Sequence, residues 1–389
     1  MVAAGVAVVG AAAFGAGVLA GGDDDGGDNT APSTATAPAV EAVTVSSVPN
    51  GPVEEVEPED PEVGTRSGSP IDDLPEDVTV LTDFGQRPDW SPDGSTLVFL
   101  DGSPLGHVWT VDVESGETRN LTEDLSDRPF SRAYYLSNGD LLLCGPTSGP
   151  EPDAEHPEAG RFTGVMSVLR APFDEPPIPL GMPCWEGMAT SRDSMQIAWN
   201  RSSIDYTAPD LVDNVTNGIS EIWIGEIRDV DGLPAIVGAR KVLDRHGFGT
   251  LAVFEVQGFR PPDNEEVIFT AYGYQGGEVF GLDVVTGALT NHSNSSAYEE
   301  AEGVDTEGAT VLVERDLEST AIPGPLDIWR LDLDDGAWER LTTFNRYAPF
   351  YASNPAVAPD GSRFAFQLSI DGDSEGQGDG ILLSDLPPD

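Results

Sequence analysis

The chain has 389 residues, with 68 acidic side chains against 19 basic ones and a formal charge of −49. Such a surface repels nucleic acid and anionic lipid headgroups, which excludes both as partners of the body of the protein. Hydrophobic residues at 39% can still build a core, and 44 glycines with 32 prolines call for frequent turns. Lys241 is the single lysine, the other cations being arginine. The acidic surface serves either solvation or the attraction of a cationic partner.

Residues 1–20 carry no charge and precede three aspartates. This stretch reads as a signal peptide or an N-terminal membrane anchor, although the usual basic start is missing. Gly21 and Gly22 stand where a lipidated cysteine would be, so lipidation is excluded. Residues 21–76 form an acidic linker rich in proline and glycine, without an aromatic residue. It cannot bury enough apolar surface to offset its ordering entropy, so disorder is expected there. A globular body over 77–389 follows.

The body opens with "DVTVLTDF" (77–84) and then "RPDWSPDGSTLVFL" (87–100). Apolar runs on either side of "PDG" are a β-hairpin signal. A second hairpin follows in "GHVWTVDVESGETRNLTE", and the two make one four-stranded unit. The second hairpin returns without gaps as "LDIWRLDLDDGAWERLTTF" (326–344), placing Trp329 on Trp109 and Gly336 on Gly116. "GEVFGLDVVTGALTNHS" (277–293) and "SEIWIGEI" (220–227) are further copies. First-hairpin turns fall at Asp93, Asn138, Asp193, Asp263, Glu307 and Asp360. The expectation is an all-β, six-bladed β-propeller, since a ring of sheets buries faces that one sheet cannot. The aromatic at the Trp109 position is expected in the core between blades. The last unit, "APDGSRFAF" with "GILLSDLPPD", supplies three strands only. Residues 77–84 should therefore close the ring as its fourth. That makes 87–100 and 354–368 equivalent strands of neighbouring blades.

These repeats, above all "RPDWSPDGSTLVFL…HVWTVDVESGETRNLT", resemble those of the TolB-type, WD-repeat-like propellers of periplasmic proteins, over roughly residues 78–386. The resemblance implies a propeller fold. It also implies either an interaction platform or the non-catalytic half of a hydrolase.

No G-x-S-x-G elbow and no H-E-x-x-H occurs, and His107, His156, His246 and His292 do not pair at metal-ligand spacing. The loop "DGDSEGQGDG" (371–380) offers alternating carboxylates to calcium, but Leu382 stands where the final bidentate glutamate belongs. A solvated hairpin loop is the better reading, and no cofactor is expected. Cys144 ends the second strand of one blade and Cys184 sits just before the first strand of the next, on the same side of the ring, where they form a disulfide or remain two buried thiols.

The turns inside hairpins are tight, whereas second-to-third strand connections are long, notably 145–164 and 200–220. Both emerge on one face from adjacent blades, as binding loops or as drifted insertions. Their carboxylates, Glu151, Asp153, Glu155, Glu158, Asp205, Asp210 and Asp213, would favour a cationic partner. Tyr206 and Leu211 would supply a desolvated centre. The expected function is an exported or membrane-tethered module that binds a protein or a cell-envelope polymer. The alternatives are a lyase- or hydrolase-class enzyme working at the channel mouth and a structural spacer. An enzyme would gather carboxylates, histidines or a metal on the axis. A binder would show an apolar, aromatic-rimmed patch on the long-loop face.

Overall fold

The computed structural model describes residues 62–126, 128–146, 164–203, 218–248, 252–317, 324–372 and 378–387. Within them the chain is all β, and helix is confined to the short turns Pro70–Asp73, Arg245–Phe248 and Phe344–Arg346. No helix among the described residues is long and apolar enough to cross a membrane. Residues 1–20 and most of the acidic linker lie outside the described residues.

Strand β1 (Val78–Thr82) precedes the first sheet, which is built from β2 (Gln86–Trp90), β3 (Thr96–Leu100), β4 (Val108–Asp112) and β5 (Thr118–Asn120) in that order. The second sheet holds β6 (Arg132–Tyr135), β7 (Leu141–Pro146), β8 (Gly164–Leu169) and β9 (Ile178–Pro183). The third holds β10 (Met188–Thr190), β11 (Gln196–Ser202), β12 (Ser220–Val230) and β13 (Leu233–Asp244). An eight-stranded sheet follows. Its first half is β14 (Val253–Arg260), β15 (Glu266–Tyr272), β16 (Gly277–Asp283) and β17 (Leu289–Asn291). Its second half is β18 (Tyr298–Val304), β19 (Thr310–Asp316), β20 (Asp327–Asp332) and β21 (Trp338–Arg340). One parallel pairing, Gly277 with Tyr298, connects the halves. The last sheet runs β1-β24-β23-β22, with β22 (Phe350–Val357), β23 (Arg363–Ile370) and β24 (Ile381–Asp385). The chain's first strand therefore pairs with its last, Val78 opposite Ser384 and Val80 opposite Leu382.

The second strand of a sheet is covered on both faces, so its side chains read as a continuous apolar run. β3 illustrates how one strand serves two interfaces. Val98 and Leu100 join Ala133, Leu141 and Leu143 of the second sheet. Leu97 and Phe99 point the other way, into a cluster with Ala365, Ile381 and Leu383 of the last sheet. Similar clusters seal the other junctions, with β7 and β8 against β11, and β11 and β12 against β14 and β15. Each fully buried leucine or phenylalanine contributes about 1.5–3 kcal/mol. These contacts set the sheets in the ring of a β-propeller.

The duplicated stretch acquires a structural meaning here. Gly94 and Gly361, one in each "PDG" turn, both take φ of 70°, a conformation glycine reaches without strain. The two turns are neighbours, since a β-carbon on Gly94 would lie 3.6 Å from Pro359 Cδ.

Three features differ from the sequence reading. Residues 62–76, assigned there to the linker, are anchored to the body. Gly64 N donates to Asn345 O and Arg66 N to Arg346 O, while Arg66 and Asp73 both contact the Tyr347 hydroxyl. Backbone pairing and one tyrosine hold this segment, and neither leaves a hydrophobic pattern. Trp109, Trp223 and Trp329 are half-buried rather than core, and only Phe280 at that position is fully buried. Indole N–H groups require a polar partner, and Trp109 and Trp223 find theirs on Asp101 and Glu221 at 2.8 and 2.9 Å. Finally, the third strand of the second sheet is β8, "GVMSVL", which has no aromatic to align.

Candidate functional site on the propeller axis

The first strands β2, β6, β10, β14, β18 and β22 face the axis, and the tight turn after each rims one end of it. A cavity of about 430 Å³ opens at that end. Its rim mixes Pro92, Pro262 and Pro359 with Arg192, Asp193, Asn264 and Thr306, and Trp90 and Phe259 lie on the strands below. Its wall is polar, with Arg87, Asp89, Gln257, Glu302 and Asn354. Arg192 lies exposed across the mouth, donating to Val304 O at 3.2 Å and Val357 O at 3.0 Å.

Local backbone geometry explains why these polar side chains reach the axis. β14 pairs Val256 with Phe269 and Gly258 with Ile268, leaving Gln257 as an extra residue. β18 repeats this at Ala301 and Gly303, with Glu302 extra. β2 and β22 shift register over Arg87–Pro88 and Asn354–Pro355. These are β-bulges, which break the ladder and re-aim a side chain. Glycine and proline inside a strand are their usual sequence marks. Arg87 and Asn354 also take left-handed φ of 54° and 48°, a backbone strain of order 1 kcal/mol each. Four bulges on four first strands thus turn four polar residues into one cavity.

Deeper along the axis, Arg132 Nη2 lies 3.3 Å from Glu255 Oε1 and 3.9 Å from Glu186 Oε2. The Tyr272 hydroxyl donates to Glu255 Oε2 at 3.0 Å, and the Tyr298 hydroxyl to Glu300 Oε2 at 2.5 Å. Asn354 N donates to Glu314 Oε1 at 2.5 Å. Glu300 and Glu314 stand opposite each other in the β18–β19 register. Burial raises these carboxyls, and their mutual repulsion adds to it. Glu255 is pushed up to about 8 by burial and by Glu300 and Glu186. Glu300 reaches about 8 through burial and Glu314, and Glu314 about 7 through burial, although Asn354 N–H opposes it. Glu302 is held well above the carboxylate range by burial and by Glu314, Glu300 and Glu255. Asp89 is raised to about 6 by burial, against a hydrogen bond from Tyr135 N at 2.7 Å and the charge of Arg192. Protonated carboxyls at neutral pH can donate hydrogen bonds or give up protons when a cation arrives.

The residues singled out in the sequence fare differently. Glu151, Asp153, Glu155, Glu158, Asp205, Tyr206, Asp210, Leu211 and Asp213 all lie outside the described residues. Cys144 and Cys184 are joined as a disulfide with Cα atoms 6.0 Å apart. Residues 373–377 of the candidate calcium loop lie outside the described residues, and no group of three metal-ligating side chains occurs among those described. Carboxylates do converge on the axis, and the cavity opens among the tight turns. The axial residues escaped sequence reasoning, although Gly258, Gly303, Pro88 and Pro355 within predicted strands were a readable signal.

No protein-family model and no curated protein matches the chain. Several solved structures are similar to the chain. XC5397 from Xanthomonas campestris, described as a gluconolactonase, shares 14% identity at a TM-score of 0.50, covering 87% of this chain and 99% of that one. TolB from Acinetobacter baumannii shares 11% at 0.43, over 78% of this chain and 64% of its own length. The propeller domain of the Trilobed protease from Pyrococcus furiosus shares 12% at 0.43, over 73% and 75%. At these identities the likeness concerns the fold, a β-propeller, and nothing finer.

Proposed function

We propose that the protein is an extracytoplasmic six-bladed propeller that works as a binding module, taking part of a protein or cell-envelope polymer into its axial cavity from the tight-turn face. The blade count treats the eight-stranded sheet as two blades, since a single pairing joins its halves. The location draws support from the uncharged residues 1–20 and from the paired Cys144 and Cys184, because disulfides persist in oxidising compartments. The observation that carries the binding reading is the bulged lining of the cavity, where four first strands each break their ladder to present a polar side chain. Pockets that bring a few polar groups together are the general form of ligand sites.

A second reading is a lyase- or hydrolase-class enzyme. It draws support from Glu255 and Glu300, raised to about 8 and hydrogen-bonded to tyrosine hydroxyls, a setting suited to general acid catalysis.

Affinity capture from cell-envelope extract tests the binding reading with three proteins: the parent, Thr306→Trp at the rim, and a chain with 147–163 and 204–217 replaced by short turns. Capture should survive the loop replacement and fail with Thr306→Trp. The reverse result would move the site to the long-loop face.

A further inference from the structure

Glu302 is the least accommodated group in the cavity. It is half-buried on the wall, and it makes no hydrogen bond or ion pair with another described residue. The neighbouring acids are better provided. Glu255 and Glu186 face Arg132, Glu314 feels Arg87 and accepts from Asn354 N, and Asp89 feels Arg192. Glu300 accepts from Tyr298. The axis therefore sets six carboxyl groups against three guanidinium groups, and of the two that line the open cavity, Asp89 and Glu302, only Glu302 lacks a partner.

Two further polar groups are left waiting. Gln257 lines the same wall, and its Nε2 is buried without a hydrogen-bond partner. Asn200 is fully buried with both amide atoms unpartnered. It lies beside Glu255, since a β-carbon on Gly187 would fall against Asn200 Oδ1, Val256 N and Glu255 Cγ together. A buried polar group without a partner costs about 1–3 kcal/mol, so such a set on one axis points to something that completes it.

We propose that the axial cavity binds a primary ammonium group, with the Glu302 carboxylate as its counter-ion and the Tyr134 ring and Asp89 beside it in the wall. This deepens the axial-binding reading and rests on it. The cavity lining sets Asp89, Asp193 and Glu302 against Arg87 and Arg192, one acid more than base. The absence of a three-ligand metal cluster among the described residues favours an organic cation over a metal ion. Aromatic rings in a water-poor wall add cation–π attraction.

Proton linkage follows from the surroundings of Glu302. Burial and the charges of Glu314, Glu300 and Glu255 raise its affinity for a proton, and Arg132 opposes them. Tyr134 and Asp89 share the cavity. Without a ligand the carboxyl avoids an unpaired buried charge by staying protonated. An arriving ammonium stabilises the carboxylate, and the carboxyl proton passes to solvent.

Calorimetric titration of the full chain with 1,4-diaminobutane, and with butane-1,4-diol as its uncharged counterpart, tests this. Buffers of different ionisation heat count the protons released. An α-acetylated lysine amide, run in parallel, separates a lysine side chain from a free diamine as the source of the ammonium. The diamine or the lysine amide should bind and the diol should not. Affinity should rise from about pH 6 to about pH 8, by up to about tenfold per unit for each proton released. Glu302→Gln should weaken binding at least about tenfold and remove one released proton. Glu302→Asp should keep the proton release with reduced affinity, and unchanged melting of both variants separates loss of the site from loss of the fold. Failure of both amines to bind, equal binding of the diol, affinity falling with rising pH, or indifference to Glu302→Gln would each overturn the proposal. If the amines fail while envelope capture is still lost in Thr306→Trp, the cation is wrong and the axial reading stands.

Discussion

The Trp90 indole N–H donates to the Ala356 carbonyl at 2.9 Å, joining first strands that lie 266 positions apart in the chain. Arg87 N meets Gln367 Oε1 at 2.8 Å across the same seam. Together with the β1–β24 pairing, these contacts hold the first sheet against the last. Deleting 77–84 would expose the edge of β24 and remove Val78 from its cluster with Phe364 and Leu382. The melting temperature should fall by on the order of 10 °C. Melting like that of the parent would mean that β1 does not close the ring.

The axial carboxyls set a pH dependence of stability. Glu255 and Glu300 at about 8 and Glu314 at about 7 lie above the ordinary glutamate value. Between about pH 4.5 and about pH 8 the folded chain therefore binds more protons than the unfolded one, and stability falls as pH rises through that window. Turn carboxylates such as Asp93 and Asp360 are held below their usual value by turn amides and hydroxyls. Their contribution is lost only as pH falls below about 4. Melting should peak near about pH 5 and decline towards about pH 8, with a shallower decline in Glu300→Gln. A curve that rises towards pH 8 would contradict this.

The all-β class, the first-hairpin turns and the place of the closing strand were legible in the sequence, because a turn glycine or an "LT" ending recurs in several of the copies. The axial site was harder. Glu302 sits in "YEEAEGV", which reads as a polar, weak strand until the bulge at Gly303 turns one glutamate onto the axis. Which of several acids becomes buried depends on the ring closing, and a single repeat does not encode that.

A second buried pair offers a sharper electrostatic test. Glu278 and Glu299 are both fully buried, and Glu278 is raised to about 8 by burial and by Glu299. Glu299 Oε1 accepts from Arg315 Nε at 2.9 Å, while Glu278 Oε1 has no partner. Glu278→Gln removes the repulsion and should be neutral or stabilising by up to about 1 kcal/mol. Glu299→Gln breaks the buried contact with Arg315 and should cost about 3 kcal/mol. Denaturant unfolding of the two variants separates these outcomes, and equal destabilisation would contradict the account.

Gly281 makes room for a hydrogen-bonded pair on the tight-turn side. His292 Nε2 lies 3.0 Å from Glu266 Oε1, and Nδ1 lies 2.9 Å from Leu333 O. A β-carbon on Gly281 would fall against Glu266 Oε1 and 2.7 Å from His292 Nε2. Gly281→Ala should displace the pair and cost about 1–3 kcal/mol. An unchanged unfolding midpoint would show that the pair yields without loss.

The central claim is that the ligand enters along the axis from the tight-turn face. Hydrogen exchange of the full chain, followed by mass spectrometry with and without a partner captured from envelope extract, reads the bound face directly. Peptides covering 86–90, 253–260, 298–304 and 350–357 should gain protection on binding, while 145–164 and 200–220 stay unchanged. Protection confined to those two long loops, with the first strands unaffected, would contradict the account.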